Sequence, residues 1–127
     1  MRTSRLVNAR PRAGTCTSAE LPALTAALDA EFVTGRGRSG SLATRYADVL
    51  TEANLPHVFV RRQAGRIVSC CAARRFVWTS QGQRWQGAMI GFVHTVPAAR
   101  GRGLAAAVLE DAVDALAAAG ADFAVLW

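Results

Sequence analysis

A chain of 127 residues with 51% hydrophobic residues has material for one domain around one core, which excludes a disordered chain. No apolar run approaches the ~20 residues a membrane-spanning helix needs, and no apolar stretch of a secretory signal follows Arg2, Arg5, Arg10 and Arg12. The formal net charge of +6 comes from arginine alone, with no lysine, a pattern of high-GC codon usage that weakens any inference from charge to partner.

Residues 4–10 read as an edge strand, in preference to the organelle transit peptide that an arginine-rich, acid-free start also suggests. Thr17 and Glu20 have the spacing of a capping box, with Ser18 as a rival cap. Leu21, Leu24, Ala27, Leu28 and Phe32 then recur at helical spacing, predicting a first helix over about 20–32. Residues 34–40 form a glycine-rich loop. Ser41 caps a second helix over about 42–53, which Asn54-Leu55-Pro56 ends. Residues 57–61 are rich in strand formers, and Gln63-Ala64-Gly65 turns the chain into a strand over 67–77, making a hairpin. A second turn at 80–83 leads into a long strand over 84–95 that carries Trp85, Met89, Ile90, Phe92 and Val93.

Pro97 closes that strand. A helix follows over 103–119, with Leu104, Val108, Leu109, Ala112, Val113 and Leu116 as its apolar stripe and Gly120 as its stop. Residues 122–127 form the last strand. The order is β-α-α-β-β-β-α-β, an α+β arrangement whose final strand-helix-strand unit should be a right-handed parallel crossover.

Cys16, Cys70 and Cys71 have no metal-ligand spacing, and Cys70 and Cys71 should point to opposite faces of a strand. They read as structural thiols of a reducing cytoplasm, with no metal site. Arg61-Arg62 and Arg74-Arg75 should split between faces in the same way. No aromatic-interleaved basic motif of an RNA-binding module is present, so a nucleic-acid binder, whose affinity would fall steeply with salt, is the weakest functional reading.

The junction from Val96 to Ala105 holds the chemistry. A helix start presents unpaired N–H groups and partial positive charge, which together hold a phosphate. Gly101 and Gly103 remove side chains that would block backbone approach, while Arg100 and Arg102 add charge and forked donors, making a diphosphate cradle. A Walker A loop requires a lysine that the chain lacks. The letters Gly101-x-Gly103-x-x-Ala106 fit a Rossmann fingerprint, but only about 20 residues follow and Asp122 sits at the start of the next strand rather than its end.

Arg100, Gly103 and Ala105, preceded by a strand and Pro97, resemble the Gln/Arg-x-x-Gly-x-Gly/Ala signature of the GNAT superfamily of N-acetyltransferases. The resemblance covers about residues 4–127 and is most specific over 88–127. It implies a mixed, mostly antiparallel central sheet flanked by helices. It implies one acyl-CoA-binding domain over 1–127, lacking the helix and two strands that GNAT domains carry beyond residues 122–127. That absent helix usually supplies a tyrosine acid, and the only tyrosine here is Tyr46. The resemblance assigns the acetyl-CoA pyrophosphate to Arg100, Gly101, Arg102, Gly103, Leu104, Ala105 and Ala106. It assigns the pantetheine arm to the main chain of Val93, His94 and Thr95. An N–H near Val93 or His94 would polarise the thioester carbonyl, and a primary amine of a small molecule or peptide would attack directly. The alternative is a non-catalytic acyl-CoA-binding module or partner subunit.

Residues 87–95 contain no carboxylate, so His94 is the candidate general base, with packing as its other reading. Glu31 faces the acceptor or ends a solvated helix. Arg36 and Arg38 meet an acidic acceptor group or lie on a solvent loop. Tyr46 lines the acceptor pocket or packs the second helix, His57 is a surface or cap residue, and Trp78 and Trp85 read as core or edge packing. Residues 122–127 would leave an apolar edge strand, a route to a homodimer.

Overall fold

The computed structural model describes residues 11–127, so the strand expected over 4–10 lies outside the described residues. Five strands form one sheet in the order β1-β2-β3-β4-β5: β1 Arg12–Thr15, β2 Val58–Gln63, β3 Arg66–Ser80, β4 Gln83–Thr95 and β5 Phe123–Leu126. The first three pairings are antiparallel and β4–β5 is parallel, as a helical crossover between them requires. The helices are α1 Leu21–Phe32, α2 Leu42–Arg45 and α3 Leu104–Ala118. The result is the mixed, mostly antiparallel sheet flanked by helices that the sequence led us to expect. Among the described residues no helix is long and apolar enough to cross a membrane.

Alternation along the strands sends residues to two cores. Val58, Val60, Cys70, Ala72 and Phe92 pack with Leu24 and Leu28 of α1 and Leu42 of α2. Phe59, Cys71, Ala73, Ala88 and Ile90 pack on the other face with Val108, Ala112 and Leu116 of α3. Cys70 and Cys71 therefore do face opposite ways. The stripe on α3 is narrower than its sequence suggested: Leu109 is half-buried and Val113 is exposed. Ala27 of α1 is exposed as well.

Local signals set the helix ends. The Thr17 N–H donates to Glu20 Oε1 at 2.9 Å and the Glu20 N–H to Thr17 Oγ1 at 3.3 Å, a reciprocal capping box one turn ahead of α1. Ser18 instead bonds Glu52. At the end of α3, the Gly120 N–H reaches the Ala117 carbonyl and the Ala121 N–H the Leu116 carbonyl, a Schellman motif made possible by φ +96° at Gly120. The adjacent Arg61 and Arg62 split between faces: Arg61 grips Asp111 of α3 at 2.6 and 2.7 Å, and Arg62 grips Glu20 at 2.8 and 2.6 Å.

The second helix departs from expectation. Ser41 caps it by accepting from the Ala43 N–H, but it lasts one turn, Leu42–Arg45, instead of running over 42–53. Neighbours on a helix diverge by about 100°. Here Val49 and Leu50 are both buried, and both donate to the Tyr46 carbonyl along an irregular path. Asn54 then pins this path to the sheet, donating to the carbonyls of Val49 and Ala73 at 2.8 and 3.0 Å, within a 3₁₀ turn over Glu52–His57. Trp78 and Trp85 are cross-strand partners on the β3–β4 hairpin and both are exposed, so they are edge residues and not core.

Candidate functional site

Strand β4 is kinked at Phe92, three residues before its end. Cys70 pairs with His94 and Ala72 with Gly91, so Phe92 and Val93 together oppose the single residue Cys71. Phe92 takes φ +53°, a left-handed conformation rare for a bulky residue. Aromatic rings hold it there: Tyr46, Trp127 and Phe32 stand edge-on to its ring at 5.1, 5.5 and 6.2 Å. No sequence signal marks this bulge, because a phenylalanine in a run of strand formers reads as regular strand. Among the described residues, β5 pairs with β4 only from Gly87 to Ile90, leaving Gly91–Thr95 without a strand on that side.

Beyond Thr95 a 3₁₀ turn at Pro97–Ala99 leads into the Arg100–Gly103 loop and α3. Gly101 and Gly103 have φ +81° and +72°, and a Cβ at either would meet nothing within 4 Å. The left-handed turn thus demands glycine for its backbone, while the space above it stays open. Gly103 is the N-cap of α3 and offers no side-chain cap, and the first turn holds no carboxylate. The helix start therefore keeps its partial positive charge toward a cleft of about 350 Å³. Val93, His94, Thr95, Arg100, Gly101, Gly103, Leu104 and Ala105 line this cleft, with Glu31 from α1 opposite. Of the residues expected to hold a cofactor, Arg102 points away toward Gln63 Oε1, at 3.4 Å, and Ala106 does not line the cleft.

Arg100 is tethered at both ends of its fork. Its Nε–H donates to the Thr95 carbonyl at 2.9 Å, and Nη2 lies 3.6 Å from Glu31 Oε1. Glu31 therefore belongs to the cleft and is not a free helix end. His94 is half-buried, edge-on to Phe32 at 6.5 Å. Burial, aided by the Arg100 charge and opposed by Glu31, lowers its pKa below 6.5, so the imidazole is neutral at neutral pH and can accept a proton. His57 sits apart, its Nδ1 3.3 Å from Asn54 Oδ1. Arg36 lies over the Phe32 ring at 5.1 Å.

The three thiols are buried and unpaired. Burial pushes Cys16 up to about 11 and Cys70 and Cys71 up to about 12, so they stay protonated and are poor nucleophiles. No group of three or more His, Cys, Asp or Glu able to hold a metal ion occurs among the described residues.

A family model described as an acetyltransferase (GNAT) domain matches residues 15–127. The fold is shared with solved structures of low sequence identity. One is a transcriptional regulator from Bacillus halodurans C-125, with a TM-score of 0.72 at 20% identity, over 92% of this chain and 81% of that one. Another is a predicted acetyltransferase from Clostridium acetobutylicum solved with acetyl-CoA, with a TM-score of 0.70 at 15% identity, over 91% and 79%. A third is an aminoglycoside acetyltransferase from an uncultured soil metagenomic sample, in complex with trehalose, with a TM-score of 0.67 at 13% identity, over 95% and 79%. No curated protein matches the chain.

Proposed function

The chain belongs to the GNAT acetyltransferase family, whose members use acetyl-CoA and acetylate amines, and from that premise we propose that it moves the acetyl group of acetyl-CoA to a primary amine of a small molecule or peptide. The observation that carries this reading is the uncapped start of α3 behind two left-handed glycines with open space above them. A diphosphate suits that space because the uncapped helix start and Arg100 face it, with the one carboxylate of the lining, Glu31, held against Arg100. The neighbouring main chain of Val93, His94 and Thr95, beyond the reach of β5, is suited to run beside the pantetheine arm.

In the proposed reaction the neutral amine attacks the thioester carbon, a C–N bond forms, the C–S bond breaks, and CoA leaves as its thiol with the proton that the attacking nitrogen sheds on becoming an amide. The acceptor arrives as an ammonium, and the proton it must lose passes to His94, whose lowered pKa keeps it unprotonated. The bulge at Phe92 leaves Val93 out of the ladder register while His94 stays in it, which suits the Val93 N–H to polarise the thioester carbonyl.

Calorimetric titration with acetyl-CoA, followed by thiol release on an amine panel, tests the proposal. Binding together with amine-dependent thiol release supports it. Binding without release on any amine would instead make this a non-catalytic acyl-CoA-binding module, and no binding would remove the cradle assignment.

A further inference from the structure

A second cleft, of about 300 Å³, opens on the sheet face beside the β4 kink, lined by Tyr46, Asp48, Val49, Arg74, Met89 and Trp127. These residues come from four separate stretches of chain. The cleft adjoins the strand end through aromatic contacts, since Tyr46 and Trp127 both pack edge-on against Phe92, the residue before Val93. It is also built rather than accidental. The Trp127 ring rests on Gly91, where any Cβ would fall 2.3 Å from it, and the Trp127 N–H donates to the Ile90 carbonyl at 3.1 Å.

We propose that this cleft seats the acceptor and selects a hydroxylated amine, with the chemistry of an amino sugar or amino alcohol; the inference rests on the acetyl-transfer reading above. Tyr46 and Trp127 supply aromatic lining suited to the C–H surface of a sugar and to a cation, while Val49 and Met89 supply apolar wall. Arg74 Nε and Asp48 Oδ2 lie 2.9 Å apart with both side chains more than half exposed, so their mutual attraction contributes little. The carboxylate accepts from an ammonium, and the guanidinium donates to a hydroxyl. A plain alkylamine would draw on Asp48 and give Arg74 nothing in return. A hydroxylated amine satisfies both, and the cleft is sized for one ring rather than an extended peptide.

The test titrates the full chain, without acetyl-CoA, with glucosamine and with butylamine, following ligand signals by saturation-transfer NMR. Glucosamine should bind about tenfold tighter than butylamine, and Asp48→Asn should remove about that factor, the scale of one hydrogen bond to a charged group. Trp127→Ala should weaken glucosamine similarly, while Trp127→Phe should retain most of the affinity. Asp48 is solvent-exposed, so its variant tests the idea even if a Trp127 variant fails to fold. Acetyl-CoA affinity, measured by calorimetry, should be unchanged in Asp48→Asn. Equal affinity for the two amines, or glucosamine binding indifferent to Asp48→Asn, overturns the proposal. Selective glucosamine binding in a chain that does not bind acetyl-CoA would support the cleft's selectivity and remove the transfer reading alone.

Discussion

The two clefts flanking the end of β4 are built from different parts of the polypeptide. The one at the start of α3 is mostly main chain and local, with Val93 to Ala105 supplying all its lining but Glu31. The one on the sheet face is made of side chains that meet only in the fold, from Tyr46 to Trp127. A main-chain site suits a ligand shared by a whole family, because backbone N–H groups and a helix end survive most substitutions. A side-chain site suits the partner that varies, because one substitution re-aims it. Changes to one cleft should therefore leave the other intact.

The largest effect is expected at the helix start. Gly103→Glu places a carboxylate and a left-handed side chain in the cradle and should weaken acetyl-CoA binding more than about 100-fold, because a like charge meets the diphosphate at short range. Gly103→Ala, which carries only the backbone strain, should lose far less; calorimetry on both variants separates charge from strain, and equal losses would count against an anion in the cleft. Next, His94→Ala should reduce turnover by about 10²-fold. In the wild type, kcat/KM should fall on the acid side below pH 6.5, as the lowered pKa of His94 is crossed, and that limb should vanish in the variant.

On the sheet face, Gly91→Ala should push Trp127 off its seat and cost about 1–3 kcal/mol of stability by overpacking. It should lower glucosamine affinity while leaving CoA affinity unchanged, and a parallel loss of both would erase the distinction between the clefts. The smallest effect lies away from both. Arg62, through its hydrogen bonds, holds Glu20 down at about 2 against an ordinary 4.5. The unfolded chain takes up this proton first, so the stabilisation is whole above pH 4.5 and drains away as pH falls toward 2. Glu20→Gln should cost about 1–2 kcal/mol at neutral pH and flatten thermal stability across that window, with ligand affinities unmoved.

The sequence by itself determined the elements whose causes are local. The capping box at Thr17 and Glu20, the helical spacing of Leu24 and Leu28, the alternation that parts Cys70 from Cys71, and the glycine stop at Gly120 each act within a few residues, and each stands where it was read. The turn into α3 was legible for the same reason, as two left-handed glycines before an uncapped helix start act within a few residues; that this turn holds a diphosphate belongs to the proposal. What only the tertiary structure decided depends on residues far apart in the chain. Burial of both Val49 and Leu50 cut the second helix to one turn. A ring of Phe32, Tyr46 and Trp127 holds Phe92 in a conformation its own preferences oppose. Glu31 came to face Arg100 because α1 packs beside the end of β4, and Asp48 to lie beside Arg74 in one cleft with Trp127 because the 46–50 segment packs on the sheet. Periodicity records which face of an element is apolar. It carries no record of which faces meet, and that meeting is what made the second cleft.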